Sequence, residues 1–194
     1  MTDCPNVIVV AGPNGAGKAT AAPSLLRDYA HVHDFVNADV IAQGLSAFRA
    51  DAVAIEAGRI MWSRLRDLTR GRADFAFETT LASRTFAPWL QELRDAGYTV
   101  HLLFLWLPSP ELAIARVAMR VQLGGHHIPT DTIVRRYHAG VSNLFQLYRP
   151  VVDSWSIIDS SGSQTPKQIA TWQKNTTMKV VQQSIWDRLI EEYS

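Results

Sequence analysis

Residues Gly12-Pro-Asn-Gly-Ala-Gly-Lys18 place three glycines and a closing lysine within seven positions. Glycines at this spacing let backbone N–H groups turn inward around an anion, and the lysine adds a mobile positive charge. The chemistry is the cradling of a polyphosphate. The stretch matches the first seven positions of G-x-x-x-x-G-K-[ST]. The eighth, which normally offers a hydroxyl to Mg²⁺, is Ala19. Thr20 follows, but one step along a helix rotates a side chain by roughly 100°. Its hydroxyl is therefore expected to face the α-phosphate rather than replace the missing ligand. Gly12, Pro13, Asn14, Gly15, Ala16, Gly17, Lys18, Ala19 and Thr20 form the expected nucleotide-binding set.

Two carboxylates follow at the ends of short apolar runs, Asp39 after Asp34-Phe-Val-Asn-Ala and Glu78 within Phe75-Ala-Phe-Glu-Thr-Thr80. A carboxylate facing a γ-phosphate can accept a proton from an attacking hydroxyl or orient a hydrated Mg²⁺. Asp39 is the candidate base. Glu78, with Thr79, Thr80 and Arg84, is the candidate substrate-side set, and both carboxylates are candidates to hold Mg²⁺ through water. Either could instead cap a following helix. Arg116 and Arg120 are four apart and so share a helix face. Arg135 and Arg136 lie beyond a Gly124-Gly-His-His-Ile-Pro129 break. A Gly- and Pro-punctuated hinge between arginine-bearing helices suits a lid over about residues 116–136, with Arg116 and Arg120 steadying the moving phosphoryl group. His126, in that break, is placed on the substrate side. His126 and His127 are adjacent rather than spaced for one metal, so zinc is not expected.

These residues need a scaffold that brings strand ends together. Val7-Ile-Val-Val-Ala11 is apolar and β-branched, as in a strand buried on both faces. Further strands are expected at 34–39, 74–80, 98–107 and 155–159, with helices at 51–70, 84–96, 110–123 and 130–148 between them. A hairpin over 168–181 and a helix over 182–192 close the chain. Alternation of strand and helix means a parallel sheet with right-handed crossovers. The expected class is α/β: a three-layer α/β/α P-loop NTPase fold with a mostly parallel sheet of five strands or slightly more, a small helical lid and a C-terminal hairpin. Residues 1–194 read as a single domain, and ligands of such sheets bind at the carboxyl ends of the strands.

Composition agrees. The 194 residues are 47% hydrophobic and 19% charged, which is ordinary globular usage. A net charge of +1 gives no broad field for nucleic acid or an anionic membrane, so neither is an expected partner. One cysteine, Cys4, allows no internal disulfide, and the start lacks a basic and apolar leader; a cytoplasmic protein is expected.

Ala11-Gly-Pro-Asn-Gly-Ala-Gly-Lys18, Phe35-Val-Asn-Ala-Asp-Val-Ile-Ala42, Phe77-Glu-Thr-Thr-Leu81 and Gly124-Gly-His-His-Ile-Pro129, in this order, resemble the zeta-toxin-like P-loop kinases. The resemblance implies phosphorylation of a hydroxyl on UDP-N-acetylglucosamine or a related sugar, with ATP or GTP and Mg²⁺. It matches Lys18 to the P-loop lysine, Asp39 to the catalytic aspartate, and Glu78 and Thr80 to the substrate-holding pair. Arg116 and Arg120 most nearly match the lid arginines. Ala19 departs from the pattern, and the chain looks like the solitary branch described as predicted ABC-type ATPases or kinases. An antitoxin partner does not follow from the sequence. The alternative is an ATPase or a non-catalytic nucleotide-binding module, which Ala19 favours; the carboxylates and arginines favour a kinase.

Overall fold

The computed structural model describes residues 4–23, 26, 31–46, 49–125, 127–162 and 167–194. Strand β1 (Asn6–Ala11) sits inside the sheet, and its Val7, Val9, Val10 and Ala11 have no exposed surface. Strands β2 (Asp34–Val36), β3 (Phe75–Thr79), β4 (Thr99–Trp106) and β5 (Ser154–Asp159) run parallel with it. The order is β2-β3-β1-β4-β5-β6-β7.

The two faces alternate along each strand. Val7, Val9, Phe75 and Phe77 enter the larger core, against Met61 and Leu65 of α3 (Ala54–Arg70) and Leu90 of α4 (Phe86–Asp95). Val10 and Ala76 enter a smaller cluster on the other face with Ala22 of α1 (Lys18–Pro23), Leu26 and Val32. The result is the expected three-layer α/β/α arrangement. The tryptophans pack in it: Trp62 stacks on Phe86 at 4.7 Å and Trp155 on Trp186 at 5.8 Å.

The expected hairpin forms from β6 (Lys167–Gln173) and β7 (Lys179–Val180), and it extends the sheet beyond β5, antiparallel to it, giving seven strands. α7 (Gln183–Tyr193) follows and packs Trp186 and Leu189 into the larger core. No described helix is long and apolar enough to cross a membrane.

Two expected elements change. The strand over 34–39 stops at Val36, because the Asn37 side chain accepts the first free N–H groups of α2 (Ala38–Leu45), and Asp39 lies in that helix's first turn. The helix expected over 130–148 is α6 (Thr130–Asn143) followed by a π turn over Leu144–Tyr148. α5 (Pro110–Gln122) opens with Ser109 as its cap and Pro110 in its first turn, where proline's missing N–H is harmless. Between α5 and α6 lies the expected Gly- and Pro-bearing break.

Candidate functional site

The loop between β1 and α1 needs its first glycine. Gly12 has φ +141°, and a Cβ there would lie 2.3 Å from the Leu105 carbonyl oxygen of β4. The loop then turns, with Ala16 N–H donating to Pro13 O at 3.2 Å, and Gly17 O accepts the first helical bonds from Thr20 and Ala21. Two outside groups brace it. Ser160 Oγ, just past β5, donates to Ala16 O at 2.7 Å. Arg116 of α5 donates to Ser160 O at 2.7 Å, to Ser161 O at 2.8 Å and to Gly15 O at 3.5 Å.

Lys18 opens α1 and is only 5% exposed. Its Nζ donates to Gly12 O at 2.8 Å and to Pro13 O at 3.0 Å, and lies 3.5 Å from Glu78 Oε1. Glu78 sits one residue before the end of β3 and receives Asn37 Nδ2 on Oε2 at 2.7 Å. Burial lowers the Lys18 ammonium below its ordinary value, against the attraction of Glu78 and Asp39. Burial likewise raises the Glu78 carboxyl, against the pull of Lys18. The pair is thus mutually dependent, since removing either leaves a buried charge uncompensated.

These groups open on a cavity of about 390 Å³ at the carboxyl ends of the strands. Of the residues predicted from sequence, it brings together Asn14, Gly15, Gly17, Lys18, Ala19, Thr20, Asp39, Glu78, Arg116 and Arg120. Gly12, Pro13 and Ala16 shape the loop behind it. Thr79 and Thr80 are not part of its lining; their hydroxyls accept from Leu81 N–H and Ala82 N–H and so shape the next turn. Arg84 is exposed and also outside the lining. His126 lies outside the described residues. Asp39 is exposed, and the cap of its helix is Asn37, not Asp39. Arg116 spends its guanidinium on backbone carbonyls, whereas Arg120 is close enough to act electrostatically on both Lys18 and Glu78.

Sequence reasoning missed Asn37, Gln43 and Ser160. Asn37 carried one signal, an asparagine at a strand-to-helix junction. Gln43 lies four residues after Asp39 on α2, hence on its face, and both line the cavity. Ser160 had no local signal. A second hollow, about 500 Å³, lies at the opposite ends of the strands by Cys4, Thr99 and Ser154, and contains none of the motif residues.

The site fits a phosphate-bearing ligand through its loop: Gly15 and Gly17, at φ +80° and +82°, turn the backbone along the cavity wall beside Lys18. Asn14 Oδ1, buried beside the cavity without a hydrogen-bond partner, is an acceptor and suits a bound donor or cation rather than a phosphate oxygen. For magnesium the chain contributes less. Ala19 has no oxygen to give, and no group of three or more His, Cys, Asp or Glu among the described residues could cage a metal. Asp39, Glu78 and Thr20 supply oxygens on the cavity wall. That set fits a cation that arrives on phosphates and keeps several waters.

Sheet order and P-loop define the class by fold: a P-loop, kinase-like α/β/α domain. The chain belongs to the zeta toxin family, whose profile matches residues 2–177. A Haemophilus influenzae protein is 28% identical over 130 residues, covering 67% of this chain and 91% of that protein. The fold is similar to that of the AvrRxo1-ORF1:AvrRxo1-ORF2 complex solved with sulphate ions, at a TM-score of 0.75 and 15% identity, over 95% of this chain and 63% of that one. This chain therefore spans less than two thirds of that protein's length. It is also similar to the PezAT chromosomal toxin-antitoxin system of Streptococcus pneumoniae, at a TM-score of 0.67 and 18% identity, over 99% of this chain and 79% of that one.

Proposed function

We propose that the chain is an ATP- or GTP-dependent kinase that phosphorylates a hydroxyl of a small acceptor, with a UDP-N-acetyl-sugar as the best match. The observation that carries this reading is the convergence of Lys18, Asp39, Glu78 and Arg120 on one cavity beside the P-loop. A nucleotide binder alone needs the loop and Lys18. It has no use for an exposed carboxylate on a capped helix turned toward the same space. The AvrRxo1-ORF1:-ORF2 complex has also been solved with ATP, which supports ATP as the donor tried first.

In this mechanism the loop N–H groups hold the β-phosphate. Lys18 exchanges its bonds to Gly12 O and Pro13 O for the β- and γ-phosphate oxygens. Asp39 accepts the proton of the acceptor hydroxyl as that oxygen bonds to the γ-phosphorus. The bond from the γ-phosphorus to the nucleoside diphosphate oxygen breaks, and the diphosphate leaves. Glu78 keeps Lys18 aligned, while Arg120, with Arg116 behind it, offsets charge on the moving phosphoryl. Asp39 and Glu78 would hold magnesium through water, and the ion would neutralise phosphate charge. Residues 1–194 then act as one kinase unit, with about residues 116–136 as its lid.

The test is transfer from γ-labelled ATP or GTP to a panel of UDP-sugars, nucleosides and free sugars. Label should appear on one acceptor class and be lost in Asp39→Asn, with nucleotide affinity kept. A second reading, a nucleotide-binding module without transfer, draws on Ala19. Nucleotide binding with no labelled acceptor would select it over the kinase.

A further inference from the structure

Three segments far apart in sequence meet at the Glu78 side chain: the P-loop at Lys18, the β2–α2 junction at Asn37 and the end of β3. Asn37 is 7% exposed and lies between β2 and α2. Its Oδ1 accepts from the backbone N–H of Asp39 at 2.8 Å and of Val40 at 3.3 Å. Its Nδ2 donates to Glu78 Oε2 at 2.7 Å, across 41 residues. The other oxygen of Glu78, Oε1, lies 3.5 Å from Lys18 Nζ. A single amide thus joins the helix that carries Asp39 to the carboxylate that faces the P-loop lysine.

Capping alone does not require this residue. An N-cap needs only an acceptor, which Ser, Thr, Asp and Asn all provide. Aspartate would cap α2 but set a second negative charge against Glu78. Serine would cap it without the amide that reaches Glu78. Asparagine supplies acceptor and donor together on a short, buried arm.

We propose that Asn37 is a positioning residue for phosphoryl transfer, holding Glu78 toward Lys18 while fixing where α2 presents Asp39 to the cavity. The proposal rests on the kinase reading for its kinetic consequence, but not for its structural one. Loss of that bond frees Glu78 Oε2 and lets the carboxylate turn away from Lys18.

The test uses Glu78→Ala and Asn37→Ser in the full chain. Asn37→Ser keeps a capping oxygen, so α2 is retained, and far-ultraviolet circular dichroism checks this. The first measurement needs no activity: hydrogen exchange of the Asn37 side-chain amide, followed by nitrogen-15 NMR in the parent and in Glu78→Ala. The bonded amide hydrogen should exchange slowly in the parent and about tenfold or more faster in Glu78→Ala. An exchange rate unchanged in Glu78→Ala overturns the proposal. The second measurement is steady-state transfer to the acceptor found in the panel. We expect kcat in Asn37→Ser to fall about tenfold to a hundredfold, as misplacement of a reacting group does, with the nucleotide KM within about twofold of the parent. A raised nucleotide KM with unchanged kcat also overturns it. If the parent phosphorylates nothing, the kinase reading fails, and the amide exchange alone decides whether Asn37 holds that carboxylate.

Discussion

Lys18 can donate three hydrogens, and Gly12 O, Pro13 O and Glu78 Oε1 surround them. A lysine so enclosed is already oriented where a β- or γ-phosphate would lie, and exchanging two neutral carbonyls for phosphate oxygens strengthens its bonds. Lys18→Ala should therefore weaken nucleotide binding by roughly 10- to 100-fold. Isothermal titration measures this directly, and an affinity equal to the parent's would remove Lys18 from the phosphate site. Its neighbour poses the opposite experiment. Ala19 is exposed on the cavity wall where a hydroxyl would meet the metal. Ala19→Ser should tighten magnesium-dependent nucleotide binding by about 1 kcal/mol, the scale of one added ligand hydrogen bond, and leave metal-free binding unchanged. Equal gains with and without magnesium would show that the serine hydroxyl meets phosphate instead. That Lys18, Asp39 and Glu78 line one cavity was legible from a P-loop position and two carboxylates near strand ends, although Asp39 stands in the first turn of a helix rather than on the strand. Asn37 and the use of Arg116 were not: their partners, Glu78 and the Ser160–Ser161 carbonyls, are 41, 44 and 45 residues away. Nothing local in either segment announces the pairing.

Elements decide whether those residues keep their places. After Glu78 the chain leaves β3 through Thr80 and Leu81, and Leu81 is buried with φ +57°, a region that branched and bulky residues avoid. α6 and the π turn hold that turn closed. Asn143 Nδ2 donates to Leu81 O at 2.8 Å and to Ala82 O at 3.3 Å, and the Tyr148 hydroxyl donates to Ser83 O. Gly140 makes this approach possible, since a Cβ there would lie 2.3 Å from Thr80 O. The contacting atom is backbone, so it cannot swing aside. Gly140→Ala should destabilise the protein by about 1–3 kcal/mol, as overpacking does, and lower transfer by displacing the turn after Glu78. Chemical denaturation measures the first effect, and a loss below about 0.5 kcal/mol would class the site with ordinary surface positions and dismiss the clamp. Strands and long helices were readable because burial on both faces of β1, or one face of α3, writes a period into the sequence. The π turn was not, because Leu144-Phe-Gln-Leu-Tyr148 carries an ordinary helical pattern. Nor was the early end of β2, which rests on a single side chain. The seventh strand, only two residues long, was legible as the second arm of the hairpin expected over 168–181.

At the scale of the molecule, the sheet sets the site at one end and two buried tyrosines tie the helical layer to that same end. Tyr137 of α6 is 4% exposed and donates to Leu107 O, just past β4, at 2.7 Å. Tyr148 has no exposed surface and donates to Ser83 O, past β3. Burial pushes each phenol from 10.0 up to about 12, with Glu192 adding to the effect at Tyr137. Both hydroxyls act as donors to carbonyls, so ionisation removes the bond and also buries an anion. The sign follows from proton counts. Between pH 10 and about 12 the unfolded chain has released these protons while the folded chain retains them. The stability they confer is therefore complete below pH 10 and falls as pH rises through about 12. The two together are worth on the order of a few kcal/mol in that window. Alkaline unfolding followed by circular dichroism should thus coincide with a late rise in tyrosinate absorbance, rather than trail an early one. Tyr148→Phe separates the two contributions of the hydroxyl. At neutral pH it should cost about 1 kcal/mol for the lost bond to Ser83 O. In alkali it should move the unfolding midpoint upward, because the group that must stay protonated is gone. A Tyr148→Phe protein that unfolds at the parent's alkaline midpoint, with Tyr137→Phe doing the same, would show that neither phenol couples the helical layer's packing to proton release.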